Sequence, residues 1–157
     1  MKPLVIILMG SKADLPHCQK IAEVAQGFGL ETVMRIGSAH KTPAHALRIL
    51  TQYENEGRPR VYITVAGRSN ALSGFTDGSV AAPVIACPPP SEAFGGADVY
   101  SSLRMPSGIA PAVVLEPANA ALFAAKILSL VDVDVALAVQ NYRQKQAEKI
   151  VQDDGSL

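Results

Sequence analysis

The sequence predicts an α/β fold, a three-layer αβα sandwich whose middle layer is a doubly wound parallel sheet. Short apolar runs, typical of strands buried on both faces, alternate with segments of helical spacing along the whole chain. The length of 157 residues corresponds to one domain. We expect residues 1–157 to form a single unit, with a core over about 4–130 and a C-terminal helix over about 133–152.

The first element is predicted as a strand because residues 4–9, "LVIILM", are apolar without interruption. An amphipathic helix is predicted next, since apolar residues recur there at spacings of three and four. Asp14 is placed as the N-cap of this helix and Gly29 near its end. The apolar positions of the helix are Leu15, Cys18, Ile21, Ala22, Ala25 and Phe28.

Further strands and helices follow in alternation. Strands are predicted over 31–36, 61–65, 83–87 and 112–116. Helices are predicted from Thr42 as N-cap and Pro43 as first helical residue to about Glu56, over about 117–130, and in the tail. This order indicates a flavodoxin- or Rossmann-like sheet. One long irregular stretch, residues 88–108, is expected to be functional or to act as a lid.

The composition argues against several classes of partner. Lys+Arg and Asp+Glu both number 14 and no basic stripe is visible, so we expect no nucleic-acid partner. Cys18 and Cys87 have neither the spacing of a metal site nor that of a disulfide framework. The apolar run 4–9 is too short for a signal peptide or a membrane span, which predicts a cytoplasmic protein. Zero net charge with 48% hydrophobic residues favours a homo-oligomer.

Small and polar residues follow the first three predicted strands: "GSKAD" (10–14), "GSAHK" (37–41) and "AGRSN" (66–70). Right-handed crossovers place these three turns at the same edge of the sheet. Glycine and serine allow backbone amides to approach a ligand, and helix N-termini favour an anion. The turns therefore predict a crevice for a phosphorylated small molecule. Neither a G-x-G-x-x-G nor a P-loop pattern is present, which argues against dinucleotides and ATP.

Each of these residues also has a purely structural interpretation. Ser11 and His40 are common turn residues, Lys41 fits a solvated surface, and Asp14 as an N-cap contributes about 1 kcal/mol. Structural roles are favoured for His17 and His45 in helices and for Cys18 in the core. Cys87 ends a strand beside the crevice, but no histidine lies close in sequence to activate it. Arg104, in the long loop, fits a surface, an interface or a ligand contact equally well.

Five segments resemble the aminoimidazole ribonucleotide (AIR) carboxylase family of purine biosynthesis. They occur in the family's order, and the match runs from Leu4 to about Leu130. The most specific are Ser38–His40 and the M-P-x-G pattern at 105–108. The segments are "MGSKADLPHC", "GSAHKTP", "VAGRSNALSG", "PVIACPPP" and "YSSLRMPSG".

The resemblance is to one branch of that family. "SAHK", "AGRSN", "CPPP" and "SSLRMPSG" are typical of the branch that carboxylates AIR directly with carbon dioxide to 4-carboxy-AIR (CAIR). The alternative is the mutase branch, which rearranges N5-carboxy-AIR and has a further histidine in the third turn, absent from 66–72 here. More remote alternatives are a nucleotide-phosphate sensor and a flavin-binding electron carrier. One departure is Ala13, where the family commonly has a serine.

The resemblance implies that His40 is the base that removes the ring proton and that Lys41 binds the phosphate. An imidazole suits the first task because it titrates near neutral pH. Arg68 either orients carbon dioxide or braces its loop. No metal or other cofactor is expected, the only partners being AIR, carbon dioxide and CAIR, and the family's assemblies are octamers or tetramers. The other implied substrate-binding residues are Ser11 and Asp14 at the phosphate and ribose, Ser38 at the nucleotide, and Gly67 and Ser69 where the carboxyl group forms.

Overall fold

The structure, a computed structural model, describes all residues from 1 to 157. Five parallel strands form one sheet in the order β2-β1-β3-β4-β5. This order is that of flavodoxin, in which the chain reverses its direction of growth next to β1. The predicted doubly wound parallel sheet is therefore confirmed. The strands are β1 (Leu4–Met9), β2 (Glu31–Ile36), β3 (Arg60–Val65), β4 (Val84–Ala86) and β5 (Ala112–Val113).

Helices cover both faces of the sheet and complete the three layers. The helices α1, α5 and α6 lie on one face, and α2 and α3 lie on the other. Short 3-10 helices occupy Lys12–Asp14 and Ala97–Val99. The α-helices are α1 (Leu15–Gly27), α2 (Pro43–Glu54), α3 (Ala71–Asp77), α4 (Tyr100–Leu103), α5 (Pro117–Leu128) and α6 (Val133–Asp154). None of them combines the length and the apolar character that crossing a membrane requires.

The central strand β1 explains why both faces must be covered. All six of its residues are buried. Val5, Ile7 and Met9 enter the core shared with α1 and α5, whereas Leu4, Ile6 and Leu8 enter the core shared with α2 and α3. Successive side chains of a strand point to opposite faces, and each fully buried aliphatic side chain contributes about 1.5–3 kcal/mol. The uninterrupted apolar sequence thus fixes β1 in the middle of the sandwich.

Several predicted boundaries differ from those of the structure. β5 has two residues instead of the predicted 112–116: its pairing with the short strand β4 ends at Val113, and α5 begins at Pro117. The stretch 88–108 is not wholly irregular, since it contains the second 3-10 helix and α4. Helix α3 was not predicted. α2 and α5 end two residues earlier than predicted, and α6 ends two residues later.

The C-terminal helix α6 packs on the domain through its first half only. Val135 and Val139 are buried, and the Tyr142 ring meets the Phe28 ring edge-on with centroids 5.3 Å apart. From Arg143 onward every residue is exposed, including Ile150. The second half of α6 therefore projects from the domain.

Gly37 allows α2 to approach the end of β2 closely. A Cβ at this position would lie 3.3 Å from both Cα and Cβ of Ala46 and 3.4 Å from Cδ1 of Ile49. Both neighbours are buried residues of α2. Any larger residue would push α2 and the turn that precedes it away from the sheet.

We predict that Gly37→Ala lowers the free energy of unfolding by about 1–3 kcal/mol, as expected for overpacking next to two buried residues. Chemical denaturation at a fixed protein concentration measures this. The matched control is Gly27→Ala at the end of α1, where a new Cβ meets nothing within 4 Å. That variant should be as stable as the original or up to about 1 kcal/mol more stable, because alanine favours helix. Equal stability of the two variants would contradict the close approach at Gly37.

Candidate active site

The three turns that follow β1, β2 and β3 meet in one open crevice of about 510 Å³. Its position is the switch point beside β1, where open α/β sheets bind ligands. Ala13, Ala66, Arg68 and residues 89–91 of the long connection also line it. The structure thus brings together all the residues that the sequence predicted for the site: Ser11, Asp14, Ser38, His40, Lys41, Gly67 and Ser69.

The first turn is closed by its own side chains. Both the backbone N–H and the hydroxyl of Ser11 donate to Oδ2 of Asp14, at 3.2 and 3.3 Å. Asp14 stands at the N-cap position of α1 as predicted, but its side chain makes no capping bond to that helix. The predicted N-cap position is therefore confirmed, but the carboxylate accepts hydrogen bonds from Ser11 and none from the first turn of α1. Its other oxygen, Oδ1, has no partner in the chain and is available to a ligand.

The second turn is held by Ser38 and Thr42. The Ser38 hydroxyl accepts the Lys41 N–H at 3.1 Å, and the Thr42 hydroxyl accepts the Ser38 N–H at 3.0 Å. Thr42 is the N-cap residue of α2, as predicted, but its side chain makes no capping bond because its hydroxyl is engaged within the turn. The backbone that bears His40 and Lys41 is thus fixed independently of any ligand.

The side chains of His40 and Lys41 are exposed and have no partners in the chain. Neither makes a side-chain hydrogen bond, and the ion pairs of the protein join Arg58 to Glu31 and Arg60 to Glu54 only. An imidazole and an ammonium group therefore lie next to each other on a rigid turn, both free to interact with a bound molecule.

The third turn contains a strained residue. Arg68 has φ of 63° and is the one residue other than glycine with a positive φ. A left-handed conformation costs an L-residue about 1–2 kcal/mol. The Arg68 N–H donates to Oδ2 of Asp98 at 3.1 Å. Asn70 caps α3 by accepting the Ser73 N–H at 3.2 Å.

The segment 97–102 supports the third turn and was not recognised from the sequence as part of the site. Besides the Asp98 bond, Oγ of Ser101 accepts the Asn70 N–H and Oγ of Ser102 accepts the Asn70 side-chain amide, both at 2.9 Å. These contacts join residues about thirty positions apart, so local spacing does not predict them. The sequence signals were the length of the stretch 88–108 and, within it, the segment "YSSLRMPSG", which carries part of the family resemblance but gives no contact to the third turn.

A second, larger cavity of about 610 Å³ lies beside the crevice, and of the three turns only the third contributes to its lining. The two share Ala66, Gly67 and residues 89–91. His17 and Lys20 of α1 form one wall, and Glu116 at the start of α5 forms another. Of the two, only the smaller crevice contains the second turn with His40 and Lys41.

His17 contacts Cys87, a residue 70 positions away that sequence spacing does not pair with it. Nε2 of His17 lies 3.4 Å from Sγ of Cys87. Burial lowers the pKa of His17, and Lys20 lowers it further, although Cys87 acts in the opposite direction. Burial also raises the pKa of Cys87 to about 12, with smaller contributions from Cys18 and Glu116. The pair is therefore a neutral imidazole against a neutral thiol, and a thiol is a poor nucleophile.

Comparisons with known proteins show to which family the chain is similar. The family model described as AIR carboxylase matches residues 4–149, which extends the resemblance into α6. The phosphoribosylaminoimidazole carboxylase of Treponema denticola is 60% identical over 157 residues, which are 100% of this chain and 99% of the relative. The crystal structure of Treponema denticola PurE has a TM-score of 0.98 and 60% identity, covering 99% of both chains.

A third relative is longer. The bifunctional phosphoribosylaminoimidazole carboxylase/phosphoribosylaminoimidazole succinocarboxamide synthetase of Mus musculus is 48% identical over 126 residues, which are 80% of this chain and 30% of the mouse protein. The matches to a family model over most of the chain and to full-length relatives establish the family. The chain therefore belongs to the AIR carboxylase family of purine biosynthesis.

Proposed function

We propose that the protein carboxylates AIR directly with carbon dioxide, reversibly and without ATP or biotin, to give CAIR. The observation that supports this most is the convergence of three turns on one crevice in which His40 and Lys41 are both free of partners. The names of the Treponema and mouse relatives, both phosphoribosylaminoimidazole carboxylases, agree with this activity.

Direct carboxylation is favoured over the mutase reaction by the third turn. His40 is the one histidine that lines the crevice, whereas the mutase branch has a further histidine in the turn that here is Ala66–Asn70. A non-catalytic phosphate sensor is disfavoured because it would need the crevice but not an unpartnered imidazole.

Lys41 and the serine hydroxyls form the phosphate end of the proposed site. The Lys41 ammonium has no carboxylate partner, so its charge is available to a phosphate. Ser11 and Ser38 supply hydroxyls at the same edge, and Oδ1 of Asp14 is available to ribose hydroxyls. Ala13 lines the crevice where the family commonly has a serine. Because that serine hydroxyl is missing, binding of the phosphate depends more on Lys41 in this protein than in family members that have the serine.

His40 is proposed as the base. The amino-imidazole ring is an enamine, and its nucleophilic carbon forms a bond to the carbon of CO₂, so that one C=O electron pair moves onto oxygen. The new ring carbon is tetrahedral and still holds its proton. His40 takes this proton, the C–H electron pair returns to the ring, and aromaticity is restored. In the reverse direction, the same imidazolium returns the proton before CO₂ leaves.

The third turn is proposed to bind the carboxylate as it forms. The backbone N–H groups of Gly67 and Ser69 donate to no acceptor in the chain, and the Ser69 hydroxyl is also unpaired. Such donors stabilise negative charge that develops during a reaction. Residues 89–91 also line the crevice and belong to the long connection, which is in a position to limit the access of water.

We also infer a homo-oligomer of at least four chains, an octamer or a tetramer. Apolar side chains are exposed on edge strand β2, at Met34 (39%) and Ile36 (46%), and on the projecting half of α6, at Ile150 and Val151. A second copy would bury this surface. Light scattering should give a mass of at least four times 16.5 kDa at micromolar concentration, and a mass near 16.5 kDa would contradict the inference.

We propose a cytoplasmic location as well, because Cys18 and Cys87 are both free thiols, as in a reducing compartment. Recovery of the native protein in a membrane or secreted fraction would contradict it.

The test of the proposed function is an absorbance assay without ATP or biotin. AIR with bicarbonate, as a source of carbon dioxide, should yield CAIR in a bicarbonate-dependent reaction. N5-carboxy-AIR without bicarbonate should give little product. Efficient use of N5-carboxy-AIR with negligible use of bicarbonate would contradict the proposal and indicate the mutase reaction instead.

Lys41→Ala should raise the KM for AIR by about 10- to 150-fold, the equivalent of 1.5–3 kcal/mol for a lost charged hydrogen bond. The turnover number should change much less, because the phosphate lies away from the reacting carbon. The matched control is Lys2→Ala, an exposed lysine before β1 at the opposite edge of the sheet. An unchanged KM in Lys41→Ala would remove this residue from the site.

A further inference from the structure

We propose that Asp98 is a positioning residue for the carboxylation step. It holds the third turn, through the Arg68 amide, in the shape that leaves the Gly67 and Ser69 amides free for the forming carboxylate. This inference depends on the proposed function, because it assigns the third turn to the carboxylate end of the substrate.

Asp98 lies against the backbone of the third turn and lines the cavity beside the crevice. Its Oδ2 accepts the Arg68 N–H at 3.1 Å. The same oxygen lies 4.0 Å from the place that a Cβ on Gly67 would occupy, and Cγ of Pro89 lies 3.5 Å from it. Asp98 lines the neighbouring cavity but not the crevice. It therefore supports the turn through its backbone without lining the crevice that is proposed to hold the substrate.

Arg68 needs such support because its backbone is left-handed. A non-glycine residue keeps a positive φ only where its surroundings hold it there. Here the 3.1 Å bond to Asp98 fixes the amide of that residue. Without the bond, the turn is free to relax to an ordinary right-handed conformation, which would redirect the peptide groups on both sides of Arg68.

The segment that contains Asp98 also fixes the other end of the turn. Asn70 is 2% exposed and Ser102 is 1% exposed, and their side chains are joined by a 2.9 Å hydrogen bond. The Asn70 N–H is bound by Ser101. The amides of residues 68 and 70 are therefore engaged by the segment 97–102, while those of Gly67 and Ser69 are left without partners. A turn that presents backbone donors to a ligand needs some amides that hold its shape and others that stay free, and this turn has both.

The consequence for catalysis is specific to one end of the substrate. Asp14, Ser38 and Lys41, which are proposed to hold the ribose and phosphate, belong to the first and second turns and are braced by separate hydrogen bonds. Loss of Asp98 should therefore weaken the binding of carbon dioxide and the stabilisation of the developing carboxylate. It should leave the affinity for AIR nearly unchanged.

The experiment compares Asp98→Ala, Asp98→Asn and Asp77→Ala. Asparagine keeps an oxygen that can accept the Arg68 N–H, so it should rescue the function that alanine loses. Asp77 is the matched control, because its Oδ2 accepts the Ala110 N–H at 2.8 Å at the far end of the same connection and lines neither cavity. Steady-state kinetics with AIR and bicarbonate are measured together with hydrogen–deuterium exchange of the peptide that covers 66–70.

Asp98→Ala should lower turnover by about 10- to 100-fold, the effect of a small misplacement of a catalytic turn, with the KM for AIR changed less than about threefold. Exchange at 66–70 should rise. Asp98→Asn should recover most of the activity and protection, and Asp77→Ala should behave as the unmodified protein. Ser101→Ala, which removes the acceptor of the Asn70 amide, should shift turnover in the same direction and keeps the test valid if Asp98→Ala fails to fold.

The inference would be overturned if the KM for AIR rose in Asp98→Ala by as large a factor as turnover fell. Equal losses of turnover in Asp98→Ala and Asp98→Asn, or an equal loss of turnover in Asp77→Ala, would overturn it too. Unchanged exchange at 66–70 in Asp98→Ala would also overturn it. Failure of the unmodified protein to use bicarbonate would instead contradict the proposed function, and the exchange measurement would still decide whether Asp98 holds the turn.

Discussion

The register of β1 with its two neighbours is the constraint on which the site depends. Met9 pairs with both Ile36 and Val65, so the three strands end at the same level. The next residues continue the ladder, since the Gly10 N–H donates to the Val65 carbonyl and the Gly37 N–H to the Met9 carbonyl, both at 2.9 Å. Burial of β1 on both faces makes these backbone bonds obligatory. The three turns are therefore neighbours before any ligand binds.

Each turn is fixed by side-chain hydrogen bonds to its backbone and leaves its functional groups free. Asp14 holds the first turn, Ser38 holds the second, and Asp98 holds the third from a distant segment. His40 and Lys41 have no partner within the chain. Rigid backbones with unpaired functional groups lower the cost of organising a transition state, because the groups are already in place.

The sequence predicts those parts of this arrangement that depend on local periodicity. The bounds of β1 and β2 and the convergence of the three turns follow from apolar patterns and right-handed crossovers. Contacts between distant residues do not. Asp14 and Thr42 occupy the predicted N-cap positions, but their side chains bond within their own turns and not to the helices that follow. The His17–Cys87 contact and the Asp98–Arg68 bond join residues 70 and 30 positions apart and could not be inferred from spacing.

The most direct test of the account is the kinetics of His40→Asn. Asparagine cannot take up a proton at neutral pH, so turnover should fall by about 100- to 10,000-fold, the range for loss of a general base. Binding of AIR, measured by calorimetry, should be nearly unchanged, and exchange of the ring proton with solvent deuterium should fall with turnover. His45→Asn, on the exposed face of α2 and outside the crevice, is the matched control and should remain active. Near-normal turnover of His40→Asn would contradict the account, because the crevice contains no other histidine to act as the base.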